Sequence, residues 1–499
     1  MPTVSLPLVL SYDTRATLAY AAIAKDQRRV NCYYELPRPM EGQPNVEAAL
    51  VRRPGVTDFG STYGSAGQTQ YLTCPDPTSG WTTPAAWVFT KDASNVIKAH
   101  SASTSISILT SADYVPRFVD ITNVNGTNTA VLQLQNTASP EGAPSQRVYY
   151  SSAIATWTEI TDADFTALKL RGKMEFRDGY AFIADGNGRV YQPSINSLSA
   201  WNPVDYLTRG VTQDPTQGLA MMRGQIIIFG RETAQAFTNQ GNATGSVLGR
   251  VPFAEHAVGL AGTAGADGTL TGKTHYYARL GNFIFLAGRY GGSAPSVNLL
   301  AYDGHNFVKI SRTYEDKILS STEVYSVNKI SFMGKVGIAF QLTAPTVAAQ
   351  KALVFFPDIN DWFEWESSVF SVVNNGVHFL GTTDPQKLYH CPASNNYQDA
   401  GTSFSMIAQI RLPRRSNNRM WMSNYGVVAD TVASNNLSVE FSDDDGASFS
   451  TARTIDLGAK LKRLHRGGMF RERLVRLTHT GSGEVRLHRF YYDAMEGAL

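Results

Sequence analysis

The residues most suited to chemistry lie at positions 442–449, which read Ser-Asp-Asp-Asp-Gly-Ala-Ser-Phe and match the Asp-box pattern S-x-D-x-G-x-[ST]-[FW]. In such a box, a carboxylate accepts backbone N–H groups inside a hairpin turn, and a glycine supplies a positive φ. The pattern predicts a structural turn built from Ser442, Asp444, Gly446 and Phe449. Three adjacent carboxylates also suit calcium, although the ligand spacing of a dedicated calcium loop is missing.

A basic segment follows at residues 460–476, with seven cations against the single carboxylate Glu472. Such a cluster can contact phosphates or the acidic face of a partner. Strand alternation would place only every second residue on one side, so a solvated sheet face is the alternative. Phe470 is the segment's one aromatic residue, which argues against base stacking. We favour a subunit or partner contact over nucleic acid, through Lys460, Lys462, Arg463, Arg466, Arg471, Arg473 and Arg476.

Sequence patterns for catalysis and cofactor binding are absent. The nine histidines show neither H-x-x-x-H nor Cys/His spacing, and no G-x-S-x-G or G-x-x-x-x-G-K-[ST] motif occurs. We therefore predict no metal, no cofactor and no enzymatic activity.

Bulk composition indicates strands and turns rather than helices or disorder, since aromatic residues make up 11% and charged residues 17% of the chain. The net charge of +2 creates no global field for nucleic acid or anionic membrane. Cys32, Cys74 and Cys391 form an odd, sparse set, which favours thiols in a reducing cytosol over a disulfide framework. We expect neither a signal peptide nor membrane insertion.

The elements that must position these residues show a repeat. Six apolar, strand-like runs recur at steps of about 40–57 residues, each followed by a second run with an aromatic or apolar anchor. About four short strands per unit at this period predict a β-propeller. Asn125-Gly126 and residues 185–188 are hairpin signals within it. The first runs lie at 131–134, 180–183, 226–229, 283–286, 336–340 and 377–380.

Closure of the ring determines the predicted number of blades. We expect the hairpin formed by 87–90 and 95–98 to pair with the last doublet, 377–391, because each is short of a full blade. That pairing gives six blades, whereas a separate hairpin blade would give seven. We interpret the Gly- and Ala-rich stretch 241–272 as a loop or inserted excursion.

The predicted fold is therefore all-β and has three parts. They are an extended N-terminal arm at 1–85, the propeller at 86–400 and an antiparallel β domain at 401–499. The last part is indicated by apolar–polar alternation of period two from about residue 402.

Several segments together resemble a known family. Asn31-Cys32-Tyr33 followed by residues 52–56 (Arg-Arg-Pro-Gly-Val) looks like its N-terminal pattern, and residues 227–241 are the closest match. In that match, a strand ending in Phe229-Gly230 leads through a short turn to an aromatic residue and Asn-x-Gly, and residues 253–260 continue it. The family is the packaged-DNA stabilisation proteins, or tail hubs (nozzles), of short-tailed bacteriophages.

The resemblance implies a structural protein of the virion tail, assembled in the host cytoplasm, without catalytic residues. It implies a homohexameric ring below the portal and the adaptor (head-to-tail connector) protein. Such a ring extends the channel for genomic double-stranded DNA, retains the genome without sequence specificity, and carries tail fibres or spikes.

Two other functions stay open at this point. A glycan-binding or sialidase-like propeller is suggested by the Asp box and the aromatic residues, although a sialidase needs an arginine cluster and a Tyr/Glu pair that we do not identify. A protein-interaction scaffold outside any virus is the third hypothesis.

Overall fold

A computed structural model describes the chain, and every statement below refers to the residues that it describes. These are 3–8, 28–36, 48–55, 57–58, 70–75, 77, 86–101, 104–138, 146–210, 214, 216–242, 245–261, 276–290, 297–332, 334–342, 351–366, 368–373, 376–380, 388–390, 397–399, 401–412, 419–432 and 435–496.

The chain divides into two compact units. The first comprises residues 1–58, 351–367 and 389–499, and the second comprises 59–350 and 368–388. The three-part division given by the sequence stays a prediction.

Five short strands open the chain, all in the first unit. They are β1 (Thr3–Pro7), β2 (Arg28–Val30), β3 (Cys32–Glu35), β4 (Ala49–Arg52) and β5 (Thr57–Asp58). β3 and β4 pair antiparallel, and their apolar side chains are buried.

Four antiparallel four-stranded sheets then form most of the second unit. Sheet A contains β6 (Gln70–Pro75), β7 (Ala86–Lys91), β8 (Val96–His100) and β9 (Ser105–Thr110). Sheet B contains β10 (Tyr114–Val124), β11 (Thr127–Asn136), β12 (Gln146–Ala153) and β13 (Thr156–Glu159). After the short helix α1 (Ala163–Thr166), sheet C contains β14 (Leu170–Arg177), β15 (Tyr180–Asp185), β16 (Arg189–Pro193) and β17 (Trp201–Thr208). Sheet D contains β18 (Thr216–Met222), β19 (Gln225–Gly230), β20 (Ala234–Asn239) and β21 (Leu248–His256).

Sheets E, F and G complete the second unit. Sheet E contains β22 (Val258–Leu260), β23 (Tyr277–Leu280), β24 (Phe283–Tyr290), β25 (Val297–Tyr302) and β26 (Phe307–Lys309), with β22 and β23 both paired to β24. Helix α2 (Thr313–Leu319) leads to sheet F, in which β27 (Val324–Phe332) pairs with β28 (Lys335–Leu342). β29 (Ala352–Phe356) and β30 (Asp361–Trp365) return to the first unit, and then β31 (Ser368–Val373) and β32 (Gly376–Leu380) form sheet G.

The remaining strands belong mostly to the first unit. They are β33 (Leu388–His390), β34 (Gln398–Asp399), β35 (Thr402–Ser403), β36 (Met406–Arg411), β37 (Met420–Ala429), β38 (Asn436–Ser442), β39 (Arg453–Asp456), β40 (Arg463–Phe470), β41 (Leu474–His479) and β42 (Arg486–Glu496). Sheet H has the order β3-β4-β42-β37-β40, with β1 also on β42. In sheet I the order is β29-β30-β2-β36-β41-β38-β39.

The all-β propeller prediction is confirmed by the arrangement of the second unit. Each sheet packs on the next from A to G, and β31 of sheet G contacts β6 of sheet A. Apolar clusters fill the spaces between sheets, which explains why central strands such as β19 and β24 are buried on both faces. Sheets F and G contribute two strands each to this unit, and the number of complete blades stays a prediction.

Aromatic side chains and hairpin turns bear out the local expectations. Trp157 of sheet B packs edge-on against Trp87 and Phe89 of sheet A at 5.8 and 5.4 Å between ring centroids. Asn125 and Gly126 take φ of 49° and 83° between β10 and β11, as a tight hairpin of type I′ requires.

Two expectations about the ring are wrong. The hairpin β7–β8 does not pair with the doublet at 377–391, because β6 and β9 supply the two strands that it lacks. The stretch 241–272 is not simply a loop, since β21 and β22 lie within it, and residues 262–272 fall outside the described residues.

Cys32 and Cys74 are buried thiols, and Cys391 also lies outside the description.

Candidate functional site

The Asp box is a closed turn at the end of β38. Asp444 accepts the amide of Ser448 at 2.9 Å and the hydroxyl of Ser442 at 2.6 Å. The Ser442 hydroxyl in turn accepts the amide of Gly446 at 2.8 Å, and Gly446 has a φ of 86°. These hydrogen bonds hold the pKa of Asp444 at about 2. Its carboxylate is therefore already engaged with protein donors.

Two arginines of the basic segment pack on this turn and on the strand that precedes it. Arg473 is buried and binds both oxygens of Asp443 at 2.7 Å. Arg476 binds both oxygens of Glu440 at 2.8 and 2.9 Å, and its guanidinium lies 3.7 Å from the centre of the Phe449 ring. These two ion pairs therefore tie part of the basic segment to the Asp-box turn and to the strand before it.

The other five predicted cations are distributed differently. Lys462 is buried, and its ammonium donates to the Thr431 hydroxyl at 3.1 Å and to the Ala459 carbonyl at 3.2 Å. Four of the five are exposed: Lys460, Arg463, Arg466 and Arg471. The partner contact itself stays a prediction, and these four are its exposed members.

A second polar cluster lies in the propeller unit, on the first strands of sheets B and C and on β23 of sheet E. The Lys173 ammonium lies 2.5 Å from a carboxylate oxygen of Asp120 and 3.6 Å from one of Glu175. Tyr277 donates its hydroxyl to Glu175, and Tyr276 bridges to the backbone of Leu219. A cavity of about 300 Å³ adjoins these side chains.

The protonation behaviour of this cluster follows from its burial. Burial alone would lower the pKa of Lys173, but the carboxylates of Asp120 and Glu175 outweigh it and raise that pKa. Burial also raises the pKa of Glu175, against the attraction of Lys173. Both carboxylates face the same ammonium, so the cluster joins strands of different sheets.

This cluster was not predicted from the sequence. The signal was present in residues 171–176, where Lys173 and Glu175 alternate with Met174 and therefore share one strand face. Buried charged side chains require partners, and for Lys173 and Glu175 these come from Asp120 of β10 and Tyr277 of β23. Among the described residues, no group of three or more His, Cys, Asp or Glu side chains is placed to hold a metal ion.

The Arg52-Arg53 motif is also internal to the first unit. Both guanidinium groups lie over the Phe404 ring, at 4.5 and 4.0 Å from its centre. Arg53 binds both oxygens of Asp399 at 3.0 and 2.5 Å, while Arg52 donates to backbone carbonyls, including that of Phe404. The motif therefore joins the N-terminal strands to the C-terminal part of the same unit.

The motif at 227–241 forms the β19–β20 hairpin, and Asp214 organises its turn. One oxygen of Asp214 accepts the Arg231 amide at 2.7 Å. The other accepts the amides of Glu232 and Thr233 at 3.0 and 2.8 Å and the guanidinium of Arg209 at 2.8 Å. Asp214 is 17 residues from Arg231, and nothing in the turn sequence pointed to it.

Membrane insertion by a helix finds no support in the described part of the chain, where no helix has the length and apolar character to span a bilayer.

Comparisons with known proteins give one family and several distant structures. Residues 109–334 match the family model described as Bacteriophage P22 Gp10, beta-propeller. No curated protein matches the sequence.

Similar solved structures include BamB from Moraxella catarrhalis, with 11% identity, a TM-score of 0.33, and coverage of 73% of this chain and 96% of that chain. The computationally designed Ika8 protein has 9% identity, a TM-score of 0.37, and coverage of 73% and 99%. An exo-beta-1,3-galactanase from Phanerochaete chrysosporium has 9% identity, a TM-score of 0.28, and coverage of 75% and 95%. None of these likenesses is strong enough to carry an argument about function.

The family match covers sheets B to E and the hairpin that the Phe229-Gly230 motif predicted. The expectation drawn from that motif is confirmed to this extent: residues 109–334 match the model of the phage P22 Gp10 β-propeller family.

Proposed function

We propose that this protein is a structural tail hub, or nozzle, of a short-tailed phage. The observation that carries the proposal is the family match over residues 109–334, which supports a virion component. In this role the protein acts by assembly and has no turnover. The hydrogen bonds of Asp444 and the ion pairs of Arg473 with Asp443 and of Arg476 with Glu440 support the same conclusion, because these charged groups are engaged within the fold.

The proposed assembly is a ring of six copies below the portal and adaptor proteins. Double-stranded DNA would pass through the ring without sequence-specific contacts, and fibres or spikes would attach to its outside. The formal net charge of +2 supports a conduit in which DNA slides, since many phosphate contacts would retain it. A rigid propeller suits this use, because flat flanks can pack between neighbours around an axis.

The glycan-hydrolysing alternative is not favoured by the geometry. A sialidase-like site requires arginines free to hold a substrate carboxylate, yet Arg473 and Arg476 are bound to Asp443 and Glu440. The Asp-box carboxylate of Asp444 accepts hydrogen bonds within its own turn.

The test is the mass of the purified protein, alone and mixed with the adaptor protein of the same phage. A mass of six subunits, or a six-subunit ring formed on the adaptor, is the expected result. A monomer that shows no affinity for the portal–adaptor assembly would refute the proposal. Hydrolysis of fluorogenic glycosides provides the second arm, and turnover there would favour the alternative.

A further inference from the structure

Sheet H of the first unit carries a row of exposed apolar side chains. Trp421 on β37 is the direct cross-strand neighbour of Met469 on β40 and of Met495 on β42. Their side chains are 41%, 52% and 41% exposed, respectively. Because directly opposed residues in a sheet lie about 5 Å apart, the three form one continuous strip across the sheet. We call them the Trp421 row.

The strip is not the buried face of the sheet. On each strand, a residue adjacent in sequence points to the opposite side of the sheet. These residues are Met422, Phe470 and Ala494, and all three are buried. The inner face thus has its own core, and the Trp421 row is additional apolar surface. Burying a tryptophan and two methionines on association would remove a large apolar area from water.

A row of polar residues beside the strip is held in a fixed arrangement. Asp493 accepts the Thr3 hydroxyl at 2.6 Å and the Asn424 amide at 3.0 Å. Asn424 is in turn 2.5 Å from the ring of His465. These bonds connect β1, β42, β37 and β40, so this part of the face is organised without any partner.

The next row of this face contains Gly426 and its cross-strand neighbour Tyr491. A Cβ on Gly426 would approach the Tyr491 hydroxyl to 2.7 Å, so the tyrosine ring lies directly over the glycine. Glycine at this position allows Tyr491 to cover the sheet closely. Trp421 and the neighbouring Tyr491 therefore lie on one face of sheet H, which we call the Trp421 face.

The charge around the face is predominantly positive. Arg419 and Arg471 each lie one residue beyond a strand end, two positions in sequence from Trp421 and Met469, and both are exposed. Arg463 is exposed opposite Gly426, and Arg489 is half-buried opposite Val428. The carboxylate of this face, Asp493, is occupied by Thr3 and Asn424. A complementary surface would therefore bring its own carboxylates.

We propose that the Trp421 face docks another protein of the tail, through an apolar patch on that protein flanked by Asp and Glu side chains. Trp, Tyr, Met and Arg are the residue types enriched at the centres of protein interfaces, and all four occur here. Pairing of this face with the same face of a second copy is disfavoured, because it would oppose arginines to arginines. The inference rests on the proposed function for the identity of the candidate partners.

The test uses the full-length protein and two purified probes, the adaptor protein and the fibre or spike protein of the same phage. Wild type is expected to bind one of them. Trp421→Ala is expected to weaken that binding by about 30-fold or more, as for a central interface tryptophan. Arg463→Glu is expected to slow association with the partner, because it replaces electrostatic attraction by repulsion. Added salt should then raise the association rate of this variant, whereas it should lower that of wild type.

Two variants control for folding and for general loss of apolar surface. Trp421→Phe keeps an aromatic ring and is expected to retain most of the binding. Val308→Ala removes an exposed apolar side chain of the second unit, 53% exposed, and is expected to bind like wild type. All variants should keep the wild-type melting temperature.

Three results would overturn the inference: equal binding by wild type and Trp421→Ala, no binding of wild type to either probe, or Trp421-dependent binding to a 30-base-pair DNA duplex in place of the proteins. Ring formation separates the two proposals. If wild type assembles on the adaptor and Trp421→Ala does so equally well, the docking face is wrong while the tail function stands. If wild type forms neither a ring nor any complex, both fail.

Discussion

Replacement of Asp214 by asparagine should destabilise the propeller unit more than any other single charge removal near the β19–β20 turn. The carboxylate is only 8% exposed and pairs with Arg209, which is 3% exposed. Asparagine has the same shape but one accepting oxygen, so its NH₂ group would face a donor. Arg209 would also lose its charged partner.

The expected magnitude follows from these contacts. A hydrogen bond to a charged group contributes about 1.5–3 kcal/mol, and removal of one partner of a buried ion pair costs about 3–5 kcal/mol. Arg231 and Glu232 are exposed, so water can replace part of what their amides lose. We expect Asp214→Asn to lower the free energy of unfolding by about 2–3 kcal/mol.

The effect of pH on this site has a definite sign. Burial acts to raise the pKa of Asp214, but the bonds from Arg209, Glu232 and Thr233 outweigh it, and the pKa is lowered. A lowered pKa means that Asp214 contributes stability above its unfolded value of about 3.9, and that this contribution is lost as the pH falls below that value. The difference between wild type and Asp214→Asn should therefore shrink below about pH 4.

The assay combines denaturant unfolding with hydrogen exchange. The amides of Arg231, Glu232 and Thr233 should exchange faster in Asp214→Asn at neutral pH, because their common acceptor is weakened. Glu232→Gln is the matched control, since it removes a charge from the same turn without touching the Asp214 carboxylate. A free energy of unfolding within about 0.5 kcal/mol of wild type, the range of ordinary surface substitutions, would refute the reasoning.

Three further predictions concern Glu364, Tyr276 and Gly230. The bonds of Glu364 to cations outweigh its burial and lower its pKa to about 2. Its carboxylate should therefore stabilise the fold above about pH 4.5, and this contribution should be lost as the pH falls towards 2. In urea titrations, Glu364→Gln should lower the free energy of unfolding by about 2 kcal/mol at pH 7 and by little at pH 2. Tyr276→Phe leaves two amides and a carbonyl unsatisfied in the propeller core, so calorimetry should show a loss of about 2 kcal/mol, and an unchanged transition would contradict this. Gly230→Ala should lower stability by about 1–3 kcal/mol, because its Cβ would collide with Asp214; a thermal melt equal to wild type would show that the turn can yield.

Features that depend on neighbouring residues were predictable from the sequence. The Asp box was assigned from eight consecutive residues, and its bonds join Asp444 to Ser442 and Ser448, at most four positions away. The Asn125-Gly126 hairpin was likewise predicted from two residues, since few other dipeptides accept two positive φ values.

For the basic segment, neighbouring residues do not predict which cations form ion pairs within the fold. Alternation along a strand predicts that about half of its cations face inward, but not which of them find carboxylates there. Arg473 and Arg476 are neutralised by Asp443 and Glu440, residues 30 and 36 positions earlier on an adjacent strand and turn. Strand register, and not the composition of the segment, decides that these two arginines form ion pairs within the fold.

The sequence by itself determined the all-β class, the blade-like period and the tight turns, because period-two alternation and turn residues act over a few positions. Only the tertiary structure decided that the hairpin β7–β8 joins β6 and β9, that Asp214 organises a distant turn, and that Trp421 lines up with Met469 and Met495. These contacts depend on strand register and sheet stacking. Many registers satisfy the same alternating pattern, and packing of the whole molecule selects one of them.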